Sequence, residues 1–431
     1  MARILITTWP FPGHLFPQVA LAHALREHGH DVAFYTGPGV GPMLAAESFL
    51  HFPFEQIDEE RLYGVVFDRR RGSLRWSGLP RFGSTLRRWL LGTLSAQVQD
   101  LERVMDAWSP HVVVTDPTLW APILVLHERF GLPVVVSSFV PACMVPGRDA
   151  PPFGLGLPPP RRWPSRLLAR VAAWGTAAAT TGFRGAANRL RGEYGLPPIT
   201  TSVTEHAGRM PLYLVPSVPE FDYGRRDLPA SVRYVGPLLW NPPRGYSAPG
   251  WLDDVPCGRP WVHVTEGTVH FEAPLLLRAA ARGLGDLPVE VLMTTGGDRE
   301  PEALGLGPLA ANVRVTRWLS HRELFPRTAV VVTTGGAGTV LAALAVGVPL
   351  VIVPTEWDKP ENARRVVEAG AGLCIAPSRC TPRRLRAAVE RVLSEPSFRR
   401  SARGLAERFA EAGGPERAAE LIGALAAGGR G

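Results

Sequence analysis

The chain has 431 residues, 45% of them hydrophobic and 20% charged, enough to bury a large core in at least two domains. Its formal net charge of +8 suits anionic ligands, but the arginines are dispersed rather than interleaved with an aromatic array, which argues against a nucleic-acid partner. Cys143, Cys257, Cys374 and Cys380 stand far apart with no C-x-x-C pair, a pattern of reduced thiols in a cytoplasm rather than of a zinc knuckle or disulfide framework. No secretory signal precedes the first apolar run, and no metal-binding cluster is evident.

RILIT at the amino terminus reads as a strand, followed by a Pro/Gly turn and a helix-period segment from Pro17 to His28 that stops at Gly29. DVAFYT (31–36), HVVVTD (111–116), VVVSS (134–138), LYLV (212–215) and VRYVG (232–236) are further strands, with helical stretches between several of them. This alternation predicts an α/β fold with a doubly wound parallel sheet. The segment 61–108 interrupts it with arginines, Trp76 and Trp89, then a helix from Thr85 to Trp108. Pro146–Trp163 reads as a long loop before an Ala/Arg/Trp-rich helix to about Gly192. Insertions of this length beside strand ends tend to carry specificity, or else are surface excursions.

Residues 239–260 have the proline, glycine and polar content of a linker, which sets domain bounds of 1–238 and 261–431. WVHVTEG (261–267), VEVLMTTG (289–296), NVRVTRW (312–318), AVVVTTGG (329–336) and PLVIVP (349–354) then restart the rhythm, with closing helices after Asn362. Ala329–Thr355 is apolar and long enough to suggest a membrane span, but Gly335, Gly336, Gly338 and Gly347-Val-Pro349 break it into strand, loop, helix and strand.

Two turns of the second half suit an anionic ligand. Gly335-Gly336-Ala337-Gly338-Thr339, preceded by Thr334, lies between a strand and a helix, where backbone N–H groups can approach a phosphate. Gly267-Thr268 also follows a strand, and open α/β sheets bind nucleotides at such ends. Trp318 can stack on a nucleobase or pack at the rim, and Asp358-Lys359 can bind sugar hydroxyls or form a surface pair. Lys359 is the one lysine in the chain. In the first half, Pro12-Gly13-His14 places a histidine after the first strand, and Asp116 ends another strand. Together they can form a base and its orienting carboxylate; apart, they read as a structural histidine and a helix cap. The glycine fingerprint of a dinucleotide-dependent oxidoreductase is missing from the first turn.

On PGHLFPQVALAHALREHGHDVAFYT, DPTLWAP, EFDYGRRDLPASVRYVGPL, VTEGTV and NVRVTRW through GGAGT to DKPENARRV, the chain resembles the nucleotide-sugar-dependent glycosyltransferases of the GT-B fold. The relatives include bacterial macrolide and natural-product enzymes and the UDP-glycosyltransferases. The resemblance implies two facing Rossmann-like domains, with acceptor bound mainly by the first and a nucleotide diphosphate sugar by the second as co-substrate, without other cofactor or metal. His14 would be the general base and Asp116 its partner in an inverting transfer to a hydroxyl of a hydrophobic natural product or lipid-like acceptor. Gly267, Thr268 and Gly336 to Thr339 would hold the diphosphate, with Thr334 and Gly335 also in the donor site; Trp318 would meet the base and Asp358 the donor sugar, while Lys359 beside it is expected to bind a sugar oxygen, or a carboxylate or phosphate oxygen. Phe11, Trp76, Trp89, Trp120 and Phe139 are the expected acceptor contacts.

Three positions depart from the family pattern. Thr334 replaces the histidine before the double glycine, Ala342 replaces a ribose-binding glutamate, and Lys359 replaces a glutamine. The loss of the glutamate suits a deoxyribose nucleotide such as dTDP, with UDP as the alternative. The departures also leave room for a non-catalytic GT-B protein serving as an auxiliary or sugar-nucleotide-binding partner. Arg161, Arg162, Trp163, Arg166, Arg170 and Trp174 suit either peripheral membrane contact or a solvated helix.

Overall fold

The computed structural model describes residues 1–67, 79–240, 249–270, 273–297 and 299–428. Trp76 and the middle of the expected linker lie outside them. Two parallel sheets organise the chain. The first holds β1 (Arg3–Thr7), β2 (Asp31–Thr36), β3 (Leu50–Pro53), β4 (Val112–Thr115), β5 (Val134–Ser137), β6 (Leu212–Val215) and β7 (Val232–Tyr234) in the order β3-β2-β1-β4-β5-β6-β7. The second holds β8 (Trp261–Thr265), β9 (Glu290–Thr294), β10 (Val313–Thr316), β11 (Thr328–Thr333), β12 (Leu350–Ile352) and β13 (Gly372–Cys374) in the order β10-β9-β8-β11-β12-β13. The central strands VVVT, VVVS and TAVVVT are near-continuous β-branched runs because helices cover both faces of each sheet. Strands β3 and β13 are too short and mixed in composition to stand out in the sequence.

Helix α1 spans Pro12–Glu27, so it begins five residues before the expected start at Pro17. Pro12 at the first helical position needs no hydrogen-bonding N–H and presets φ, which starts the helix early and carries His14 into its first turn. Helix α2 (Trp163–Glu193) follows the long loop as expected, and the helix expected from Thr85 to Trp108 is present but interrupted: Leu79–Leu86 is α-helical, Arg87–Leu91 makes a π-helical turn, and the helix resumes at Leu94 and ends at Trp108. In the second half, α3 (Ala337–Ala345) follows β11 and α4 (Lys359–Glu368) follows β12. The stretch Ala329–Thr355 is therefore strand, helix and strand, and no helix among the described residues is long and apolar enough to cross a membrane.

The last helix, α5 (Gly414–Gly428), was expected to close the second domain but packs on α1 of the first. Its Ala418, Ala419 and Ile422 are buried with Val19, Leu21 and Leu25. Small residues at the contact let the two helices approach closely, a pairing that depends on chain direction beyond Glu411 and that local periodicity does not encode.

Candidate active site

Each sheet reverses its winding once. In the first, the reversal falls between β1 and β4; in the second, between β8 and β11. At these points the loops leave the carboxyl ends of neighbouring strands in opposite directions and open a crevice. His14 follows β1 and Asp116 follows β4, so the first reversal joins residues 102 positions apart. Gly267-Thr268 follows β8 and Thr334–Thr339 follows β11, so the second reversal joins the two glycine turns.

His14 Nδ1 lies 2.7 Å from Asp116 Oδ2. The other carboxylate oxygen of Asp116 accepts from the Thr118 backbone N–H at 2.7 Å and its hydroxyl at 2.5 Å. Asp116 is fully buried and hydrogen-bonded through both oxygens, which fixes the carboxylate and, through it, the ring. A carboxylate on Nδ1 selects the tautomer with its proton there and leaves Nε2 as acceptor. The ring stacks on Phe139 with centroids 3.7 Å apart and makes T-shaped contacts with Phe11 and Trp89 at 5.6 and 6.0 Å.

Across the crevice, α3 opens at Gly336, and its first-turn N–H groups have no intrahelical acceptor. A Cβ built on Gly336 or Gly338 would meet no atom within 4 Å, so both glycines face open space. Gly335 differs: its φ is +93° and a Cβ would lie 2.8 Å from Ile352 Cγ2, which makes it a steric glycine behind the turn rather than a lining residue. The Thr334 hydroxyl donates to the Glu266 carbonyl at 2.8 Å and ties the two glycine turns together, so its proton is already engaged. Lys359 Nζ donates to Val269 O at 2.6 Å and Thr355 Oγ1 at 2.9 Å, leaving one of its three N–H bonds. Burial lowers the Lys359 pKa and raises that of Asp358, whose carboxylate accepts from Asn362 Nδ2 at 2.7 Å. Trp318 lies near-parallel to the His321 ring with centroids 6.4 Å apart, and His321 in turn stacks on Phe325 at 4.3 Å.

One cleft of about 2310 Å³ connects these groups. Its walls include His14, Phe11, Trp89, Trp120 and Phe139 on one side, and Gly267, Thr268, Trp318, Thr334, Gly336 to Thr339, Asp358 and Lys359 on the other. Asp116 sits behind His14 rather than in the wall. Over 429 residues, 98% of this chain and 99% of the relative, the chain is 35% identical to 4'-demethylrebeccamycin synthase of Lentzea aerocolonigenes.

The chain belongs to the natural-product glycosyltransferases.

Residues 280–425 match the family model of the erythromycin biosynthesis protein CIII-like C-terminal domain. Demethyllactenocin mycarosyltransferase of Streptomyces fradiae is 27% identical over 424 residues, covering 98% of this chain and 86% of the relative. The fold is GT-B: the calicheamicin glycosyltransferase CalG4 superposes with a TM-score of 0.73 at 24% identity, covering 98% of both chains. The glycosyltransferase VinC in complex with DTDP superposes at 0.70 with 22% identity over the whole of both chains.

Residues that the sequence did not single out also shape the cleft and its supports. Glu266 accepts from Leu276 N and Arg299 Nη2, both at 2.9 Å, which braces the Gly267 turn from below. Trp357, directly before Asp358, reaches across the cleft to Trp89 with ring centroids 5.8 Å apart. Glu361 accepts from Gly156 N at 2.8 Å, fastening the long Pro/Gly loop to α4. Adjacency to Asp358 was the only signal for Trp357; Glu361 lies in the DKPENARRV motif, but nothing local pointed to its partner, which is 205 positions away.

Proposed function

We propose that this glycosyltransferase moves a sugar from a nucleotide diphosphate sugar to a hydroxyl of a hydrophobic natural-product or lipid-like acceptor, with inversion at the anomeric carbon. The observation that carries the reading is the His14–Asp116 pair at 2.7 Å, in one cleft with the open glycine turn of α3. His14 Nε2 takes the acceptor proton as the oxygen attacks, and Asp116 stabilises the imidazolium that forms. The departing diphosphate gains negative charge where the first-turn N–H groups of α3 and the positive end of its dipole point. Asp358, whose carboxylate accepts from Asn362, would accept from sugar hydroxyls. Aromatic walls on the His14 side suit an apolar acceptor and keep water from competing as nucleophile.

dTDP is the favoured nucleotide. Ala342 lines the cleft and offers no acceptor for a ribose 2′-hydroxyl, and VinC binds DTDP on the same fold. The test is turnover of dTDP- and UDP-sugars with a panel of aromatic and macrocyclic acceptors, with the product's anomeric configuration read by NMR. His14→Ala is expected to lower kcat by roughly 100- to 10,000-fold. Retained anomeric configuration, or full turnover in His14→Ala, would sink the reading.

A further inference from the structure

Helix α2 has 31 residues, yet before Phe183 its only buried side chain is Ala169. Ala169, Phe183, Ala187 and Leu190 mark the face turned to the protein, and the last three join the first domain's core. At about 100° per residue, Trp163, Leu167, Val171 and Trp174 fall within an arc of about 80° on the opposite side. They are 74%, 54%, 58% and 76% exposed, a contiguous apolar stripe in water. Arg162, Arg166 and Arg170 run beside it at four-residue spacing and are exposed. Arg161, just before the helix, pairs with Glu368 at 3.5 Å and remains largely exposed.

We propose that this half of α2 docks in the plane of an anionic lipid surface, with Trp163, Leu167, Val171 and Trp174 at the acyl boundary and the arginines on lipid phosphates. An in-plane amphipathic helix needs an apolar stripe, a cationic flank and aromatic residues for the headgroup region, and all three are present. Charge chooses the occupant. Between Asp149 and Glu193 the chain has seven arginines and no acidic residue. A second copy would bring the same positive face against this one, whereas an anionic bilayer neutralises it. Arg170, Val171 and Trp174 also line the cleft, so docking would hold the acceptor pocket beside the lipid. The inference does not depend on the chemistry assigned to His14.

The experiment is flotation of the full chain with phosphatidylcholine vesicles made with and without phosphatidylserine, at low and high salt. Binding is expected only to the anionic vesicles and is expected to weaken with salt. Arg166→Gln with Arg170→Gln is expected to lower partitioning roughly 25-fold, about five-fold per arginine. Trp163→Ser with Trp174→Ser is expected to abolish it at every salt concentration. All four side chains are exposed, so unchanged melting temperatures will show that the variants fold. No binding to anionic vesicles, or binding unaffected in both variants, overturns the proposal. So does a wild-type dimer that the tryptophan variant converts to monomer, which would assign the stripe to a second copy.

Discussion

Arg365 on α4 reaches Asp222 of the first domain, with Nη2 at 2.7 Å and Nε at 3.1 Å from the same carboxylate oxygen. Both side chains are buried. The second oxygen of Asp222 accepts from Cys143 N and the Tyr234 hydroxyl, and Arg365 Nη1 reaches Glu361 at 2.6 Å. Burial opposes the charged guanidinium, but Asp222, Tyr223 and Glu361 outweigh it and hold Arg365 above its ordinary pKa. The helix that follows Asp358 is thus bolted to the first domain. Asp222→Ala leaves a buried guanidinium without its main partner and is expected to cost about 3–5 kcal/mol, read as a lower urea midpoint. Exchanging Asp222 and Arg365 together for apolar residues should cost less, because no buried charge is stranded.

Trp357 has φ of +61°, a left-handed conformation that strains a bulky residue and persists only where its surroundings hold it. One such restraint is the edge-to-face contact with Trp89, which in turn lies beside His14. An aromatic pair of this kind contributes about 0.5–1.5 kcal/mol beyond its area. Trp357→Ala is expected to raise the acceptor KM roughly two- to ten-fold by that arithmetic. Nucleotide binding, measured by thermal shift, should hold steady. An equal loss of nucleotide affinity would place the residue's effect on the donor side instead.

Neighbouring glycines are expected to fail in different ways. Gly335→Ala must seat a methyl against Ile352 in a left-handed backbone, and should lower stability by about 1–3 kcal/mol. Gly338→Val adds its side chain in open space inside a helix, so stability should be preserved or slightly raised. Its methyls would occupy the approach to the α3 N–H groups, and nucleotide affinity should fall. Thermal melts with and without nucleotide separate the two outcomes.

His263 in β8 is 1% exposed, and burial depresses its pKa from 6.5 to about 3, with His321 adding to the shift. Its Nδ1 lies 3.0 Å from the Leu292 carbonyl, a contact that favours the charged ring but is outweighed by burial. Above pH 6.5 the ring is neutral in both folded and unfolded chains and has no effect on the pH dependence. Below that value the unfolded chain binds a proton that the folded chain refuses, so stability falls by roughly 1.4 kcal/mol per pH unit until about pH 3. Melting temperature should therefore drop between neutral and mildly acid pH. His263→Gln should show a shallower dependence, and an unchanged slope would assign the acid sensitivity elsewhere.

The strands VVVT, VVVS, LYLV and WVHVT were legible because burial on both faces selects β-branched and aromatic residues within a few consecutive positions, a local signal. The glycine turns were legible for a related reason: positive φ and close approach restrict the residue type at the turn itself, as at Gly267 and Gly335. His14, Asp116 and the glycine turn after β11 could be named from their places at strand ends, and the resemblance supplied the roles proposed for them. Tertiary structure decided which of them meet. The reversal of strand order between β1 and β4 closes a separation of 102 residues to 2.7 Å. It also decided that the Thr334 hydroxyl is a tether, that Gly335 is steric, that Trp357 crosses to Trp89 and that α5 returns to α1. Each of these is a contact between side chains or backbones distant in sequence, fixed by packing and by the need to satisfy buried polar groups. A single chain read residue by residue records the local preferences of both partners, but not their pairing.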